Sequence, residues 1–132
     1  MTSIFLIEYV YLHNIFLLFL HIFILVIDLI VKEGILKDND ISLETLEVGL
    51  ENTTLLLLHG YNAFAMCGAL NVDVYNSEKM KDRHVICFRA VGVKKLEDLY
   101  EAKIEQCSNY ANELEIFKGM RVKDAFKKLS KK

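Results

Sequence analysis

Residues 41–68, "ISLETLEVGLENTTLLLLHGYNAFAMCG", decide the fold class. "ISLETLEV" at 41–48 alternates apolar and polar residues at period two, which is the pattern of a half-buried strand. Asn52 and Thr53 supply a turn. "TLLLLHG" at 54–60 is apolar at consecutive positions and reads as a second strand buried on both faces. "NAFAMCG" at 62–68 gives a third. The chain contains no proline, so glycine, asparagine and aspartate must mark its corners.

Downstream the texture changes. Residues 71–83 fit a short helix with Asn71 or Asp73 as its cap. "VICFRAVGV" at 85–93 is an apolar run around one charge, expected to be a central strand with both faces covered. Three helical patterns follow: Leu96, Leu99 and Tyr100; then Ile104, Cys107, Ala111 and Leu114; then Val122, Ala125, Phe126 and Leu129 after Gly119. The order is N-terminal antiparallel strands, a central strand flanked by short helices, then a helical C-terminus. This is an α+β pattern rather than an alternating βαβ one.

Upstream lies a segment of different composition. The chain has 132 residues, enough for one domain with a short appendage. Residues 1–31 hold no Lys, Arg, Gly or Ala, and Glu8 and Asp28 are their only formal charges. Tyr9 to Ile27 is uncharged for 19 residues, nearly the span of a hydrocarbon core of about 30 Å. It is too long for the apolar part of a signal peptide, and no basic n-region precedes it. One reading is a transmembrane helix, with Lys32 and Lys37 placing the following domain in the cytoplasm. The other is a start assigned too early, since AT-rich upstream DNA encodes such a composition and Val31 is a natural later start. The chain then divides into a hydrophobic segment at 1–31, a linker at 32–40 and a domain at 41–132.

All 16 basic residues fall in 32–132, where 16 acidic residues balance them; the net charge of −2 belongs to the N-terminal segment. A neutral domain is not the footprint of a polyanion binder, and no nucleic-acid partner is expected. The last turns carry Lys118, Arg121, Lys123, Lys127, Lys128, Lys131 and Lys132 against Asp124, a basic face suited either to a helix C-terminus or to an anionic membrane.

The three cysteines, Cys67, Cys87 and Cys107, stand 20 residues apart with no CxxC pair, which argues against a disulfide scaffold. A metal set of Cys67, Cys87, His59 and His84 matches no ligand spacing, so no metal site is expected. Cys67 sits at a strand end ahead of an expected helix N-terminus, where unpaired N–H groups activate a thiol; Gly68 beside it permits close approach of a ligand. The alternative is that Cys67 only packs, as buried cysteines commonly do. Arg89 shares a strand face with Val85, Cys87, Val91 and Val93, so it must be paired or reach a wet surface. It is either an anion clamp or one half of an ion pair, with Asp73 or a glutamate of the first strand as partner.

"MCGALNV" at 66–72, "RAVGV" at 89–93, "LEDL" at 96–99 and "KGM" at 118–120 together resemble the YunC-like family, domain of unknown function 1805. The likeness runs from about Gly49 to Leu129. It implies a small α+β domain that forms a homotetramer through its N-terminal β region, and it implies no known reaction. Cys67 belongs to the family pattern; Cys87 and Cys107 do not. Ala63 stands where members usually have glycine, and Phe88 where a small residue is usual. Cofactors are not indicated. The expected function is a non-catalytic, oligomeric ligand- or partner-binding module, with Cys67, Gly68 and Arg89 as candidate binding residues. The alternative is a thiol-dependent enzyme or redox sensor using Cys67 with Arg89 as anion clamp. A membrane-tethered form of the module is a third.

Overall fold

The computed structural model describes residues 12–22 and 30–132. Residues 12–22 are helical (α1). Six strands then form one sheet in sequence order: β1 (Val31–Asp38), β2 (Ile41–Leu50), β3 (Thr53–Gly60), β4 (Ala63–Met66), β5 (Ile86–Arg89) and β6 (Gln106–Cys107). Every neighbouring pair is antiparallel except β4 with β5, which is parallel. Three short helices complete the chain: α2 (Leu96–Glu101), α3 (Asn109–Glu113) and α4 (Val122–Ser130). The α+β class expected from the strand-then-helix order holds.

The hairpins follow from turn chemistry. Asn39, Asn52, Tyr61 and Asn62 all have positive φ, the conformation that tight strand connections demand and asparagine tolerates. Residues 32–40, expected as a linker, are instead most of β1 and its turn. The two-residue connection Asn39–Asp40 sets Asp38 opposite Ile41 and carries the pairing back to Val31 opposite Val48. Charged Lys32, Glu33 and Lys37 had masked a strand that lies on the sheet edge, where charges are tolerated.

Alternation divides the sheet into two faces. On the first, Leu58, Ala65 and Phe88 form a cross-sheet row, and with Leu43, Leu56 and Ile86 they pack against the helices through Leu99, Ile104, Ile116, Val122 and Phe126. Phe88 meets Phe126 edge to face at 5.1 Å. In α4 the apolar positions Val122, Ala125, Phe126 and Leu129 repeat at helical spacing and all are buried. Ser108 is the buried polar hub of this face: its hydroxyl accepts from the Ala111 N–H at the start of α3 and from the Cys87 N–H of β5, and donates to the Val85 carbonyl at 2.7 Å.

The second face is covered by the β4–β5 connection, and only in part. Parallel strands cannot be joined by a tight turn, so residues 67–85 must cross over. Val72, Leu70 and Tyr75 of this crossover pack with Met66, Cys87 and Phe64. The helix expected over 71–83 is two 3-10 turns, Asp73–Asn76 and Lys81–Arg83. Neither Asn71 nor Asp73 is the cap, a position that Val72 holds; Asn71 instead accepts the Asp73 N–H at 2.9 Å in a local turn before it. Ser77 then breaks the run: its backbone is extended, and its hydroxyl donates to the Val74 carbonyl at 2.7 Å, competing with helical bonding. The strand expected at 85–93 is Ile86–Arg89, ended before Gly92 turns the chain with φ +74°. β3 departs from its expected two-sided burial: Leu56 and Leu58 are buried, whereas Leu55 and Leu57 on the second face are half-buried.

The transmembrane helix expected over residues 9–27 extends beyond the described residues at both ends. Within 12–22, Leu12, Phe16, Leu18 and Phe19 are exposed, and among the described residues no helix is long and apolar enough to cross a membrane. Three of the C-terminal lysines are engaged: Lys123 with Glu101 at 2.8 Å, Lys127 with Asp38 at 3.7 Å and Lys128 with Glu115 at 3.2 Å.

Asp38 also accepts a hydrogen bond from the Tyr100 hydroxyl at 2.8 Å, tying the end of β1 to α2 across 62 residues of sequence. Burial, followed by the bond to Asp38 and its charge, raises the Tyr100 phenol above its ordinary value near 10. A raised folded-state value means that this stabilisation is complete below about pH 10 and is lost as pH rises beyond it. Tyr100→Phe should therefore lower stability at neutral pH by about 1 kcal/mol and reduce the loss of stability above pH 10. Urea unfolding at several pH values checks both; identical alkaline slopes in the two proteins would contradict the assignment.

Candidate functional site

Cys67, Gly68 and Arg89 are brought together. The parallel register sets Met66 opposite Arg89, and the Ala90 N–H donates to the Met66 carbonyl at 3.0 Å. The corner at which β4 leaves the sheet thus lies beside the end of β5.

Cys67 is buried, and its sulfur is occupied. The Leu56 N–H of β3 points at Sγ at 3.3 Å, and the thiol lies 3.8 Å from the Thr54 carbonyl. The Cys67 N–H donates in turn to the Leu56 carbonyl at 3.2 Å. As β4 departs from the ladder, Leu56 would lose its acceptor, and the sulfur takes that place; a buried N–H left alone costs about 1–3 kcal/mol. The helix N-terminus expected just after Cys67 is absent there. Residues 67–70 form a turn, with the Leu70 N–H donating to the Cys67 carbonyl at 3.3 Å, and the first 3-10 turn begins only at Asp73.

Arg89 faces outward from β5 and spans the corner. Its Nη2 donates to the Gly68 carbonyl at 2.8 Å and its Nη1 to Glu105 at 3.1 Å. Its Nε is buried without a partner. The partner expected from sequence was Asp73 or a glutamate of the first strand; it is Glu105, just before β6. Asp73 instead accepts from the Gln106 amide at 2.6 Å, and Glu44 pairs with His59 at 3.4 Å. Glu105 escaped sequence reasoning because β6 is two residues long and has no periodicity to announce it. A Cβ on Gly68 would stand 3.4 Å from Val91 and 3.7 Å from the Arg89 guanidinium, ordinary contact distances, so space alone does not demand glycine here.

The other thiols belong to the core. Burial pushes the Cys87 thiol up to about 11, the Ser108 hydrogen bond opposing the rise and Cys107 adding to it. Burial likewise raises Cys107, which donates toward Asn112 at 3.0 Å. His84 stacks on Tyr110 at 4.8 Å. Among the described residues no three of His, Cys, Asp and Glu gather as metal ligands.

A second feature was not foreseen. On the second face the crossover stops at Leu70 and Tyr75, leaving a concavity of about 850 Å³ over β1, β2 and β3. Leu46 and Leu57 form its floor, and Phe64 packs edge to face on Tyr75 at 5.6 Å as its wall. The continuous leucines of β3 were the available signal, because apolar residues on both faces call for cover on both.

The Arg89 corner leads to a stability prediction. Arg89→Ala removes both bonds, leaves the exposed Gly68 carbonyl to water, and should cost about 1 kcal/mol. Glu105→Gln retains an acceptor and should cost less. Urea midpoints for the two variants check the order; an unchanged midpoint for Arg89→Ala would show that the corner is held by other contacts.

Comparison with known proteins agrees with this geometry. Residues 66–129, from the Met66 corner to the end of α4, match the domain of unknown function DUF1805. The uncharacterized protein YunC of Bacillus subtilis (strain 168) is 36% identical over 84 residues, covering 64% of this chain and 82% of that protein. The crystal structure of TA1206 from Thermoplasma acidophilum, a protein of unknown function, superposes with a TM-score of 0.66 at 27% identity, covering 76% of this chain and 93% of that one. On the family match and the 36% identity to YunC, the chain belongs to the DUF1805 family of YunC-like proteins.

Proposed function

We propose that the chain is a non-catalytic ligand- or partner-binding module that assembles through its N-terminal strands. The observation that carries this reading is the apolar second face of the sheet, open over β1–β3 while all three cysteines are buried. A protein that leaves part of a six-stranded sheet uncovered presents a surface to something else. The outer edge of β1 supports assembly: it is an eight-residue edge strand with backbone groups available for pairing. The family resemblance makes a homotetramer the expected state. Cys67, Gly68 and Arg89 serve, on this reading, as the lock of the corner beside the binding face.

A second reading, a thiol-dependent enzyme or redox sensor with Arg89 as anion clamp, has one observation in its favour, the unpartnered Nε of Arg89. Against it stand the burial of Cys67 and the commitment of both terminal nitrogens of Arg89. Where residues 1–31 belong to the mature chain, the exposed apolar side chains of α1 support membrane attachment, with the domain on the cytoplasmic side by the placement of Lys32 and Lys37.

Two measurements test these readings. Light scattering on the purified full chain should give four times the monomer mass, and a monomer would count against assembly. Alkylation followed by peptide mass mapping should label Cys67 slowly in the native protein at pH 8 and rapidly in urea. Fast native labelling with an apparent pKa below that of a free thiol would move the assignment to the enzyme.

A further inference from the structure

The concavity on the second face has a chemical bias. Strand register lays two cross-sheet rows through it: Glu33, Leu46, Leu57 and Met66 in one, Ile35, Glu44, His59 and Phe64 in the other. Leucine floor and aromatic wall are therefore bordered on the β1–β2 side by two carboxylates. Glu33 and Glu44 are diagonal neighbours across the antiparallel pair, a separation of about 7–8 Å between such positions, which suits a cationic group set between them. Among the described residues no lysine or arginine lines the concavity. Glu44 meets only the His59 imidazole at 3.4 Å, and Glu33 has no ion-pair partner among the described residues. The volume falls within the roughly 300–1,000 Å³ of small-molecule sites.

We infer that this concavity binds a small organic cation with an apolar body, an aryl- or branched alkylamine. The body lies on Leu46 and Leu57 against Phe64, and the ammonium lies between Glu33 and Glu44. An anion would meet two carboxylates and no countercharge. A neutral apolar molecule would take water from those carboxylates and return nothing. A second copy of the chain docking by the same face would bring two carboxylates from each protomer into one contact with no lysine or arginine among the lining residues to meet them. Assembly through the edge of β1 leaves the concavity accessible. The inference rests on the binding-module reading and names the class of its ligand.

Phenethylamine, 2-phenylethanol and phenylacetate share a body and differ in charge, so they separate the terms. Titration of the full chain at pH 7 by calorimetry should show saturable binding of phenethylamine, with the alcohol and the acid weaker by at least about tenfold, the ratio that 1.4 kcal/mol produces. The double variant Glu33→Gln/Glu44→Gln should bring the amine down to the level of the alcohol without moving the thermal midpoint. Leu57→Lys should abolish binding of all three. Equal binding of amine and alcohol overturns the inference, as does undiminished amine binding by the double variant. Absence of amine binding together with an oligomer that Ile35→Lys dissociates also overturns it, and assigns the face to a second copy. A monomeric chain or a fast-reacting Cys67 would end the module reading without altering this titration, so the two can fail separately.

Discussion

The parallel pairing of β4 with β5 is the constraint on which the rest of this molecule depends. The three connections from β1 to β4 are two-residue turns, and β5 returns to antiparallel β6 by way of α2. The β4–β5 connection must carry residues 67–85 across a face, and the length of that crossover sets how much of the face is covered. It reaches Met66, Cys87 and Phe64 and ends at Tyr75. One topological event thus makes a corner at Cys67–Gly68 and leaves the neighbouring surface of β1–β3 open. Both features that bear on function are products of the same crossing.

The corner shows how a sheet manages the point where a strand leaves it. The Leu56 N–H is met by a sulfur, the Gly68 carbonyl by a guanidinium, and the guanidinium by Glu105 on the far side of β5. Cysteine is the residue that supplies an acceptor there within an apolar core, and arginine the one that reaches two acceptors at once. Ser108 plays the corresponding part at the start of α3, joining α3 to β5 through three hydrogen bonds to one buried hydroxyl. Neither device needs a reacting substrate to account for it. The chemistry left unspent is at the open face.

What could be read from the sequence was whatever repeats. The alternation in Ile41–Val48, the continuous leucines of β3 and the helical spacing of Val122, Ala125, Phe126 and Leu129 each identified its element. β1 was hidden because an edge strand faces water on one side and carries charge, so its composition resembles a linker. The helix expected from Asn71 failed on a single competing hydroxyl, Ser77, immediately after the first turn's last residue. The grouping of Cys67, Gly68 and Arg89 was legible through the paired motifs, whereas Glu105 was not: its partnership depends on strand order, which no local pattern carries. The concavity was invisible for the same reason. It is defined by where the crossover ends rather than by any residue within it.

Strand order equal to sequence order has a consequence for how the chain comes to be folded. β1 to β4 form a meander of adjacent hairpins, so most of the sheet can zip from local contacts before any distant segment arrives. The late event is the return of β5 beside β4, followed by closure of the Tyr100–Asp38 bond over the helices. With no proline in the chain, no slow isomerisation stands in the path. The loop over residues 67–85 is the longest connection within the sheet, and lengthening it raises the entropic cost of its closure only slowly, by about 0.6 kcal/mol per doubling.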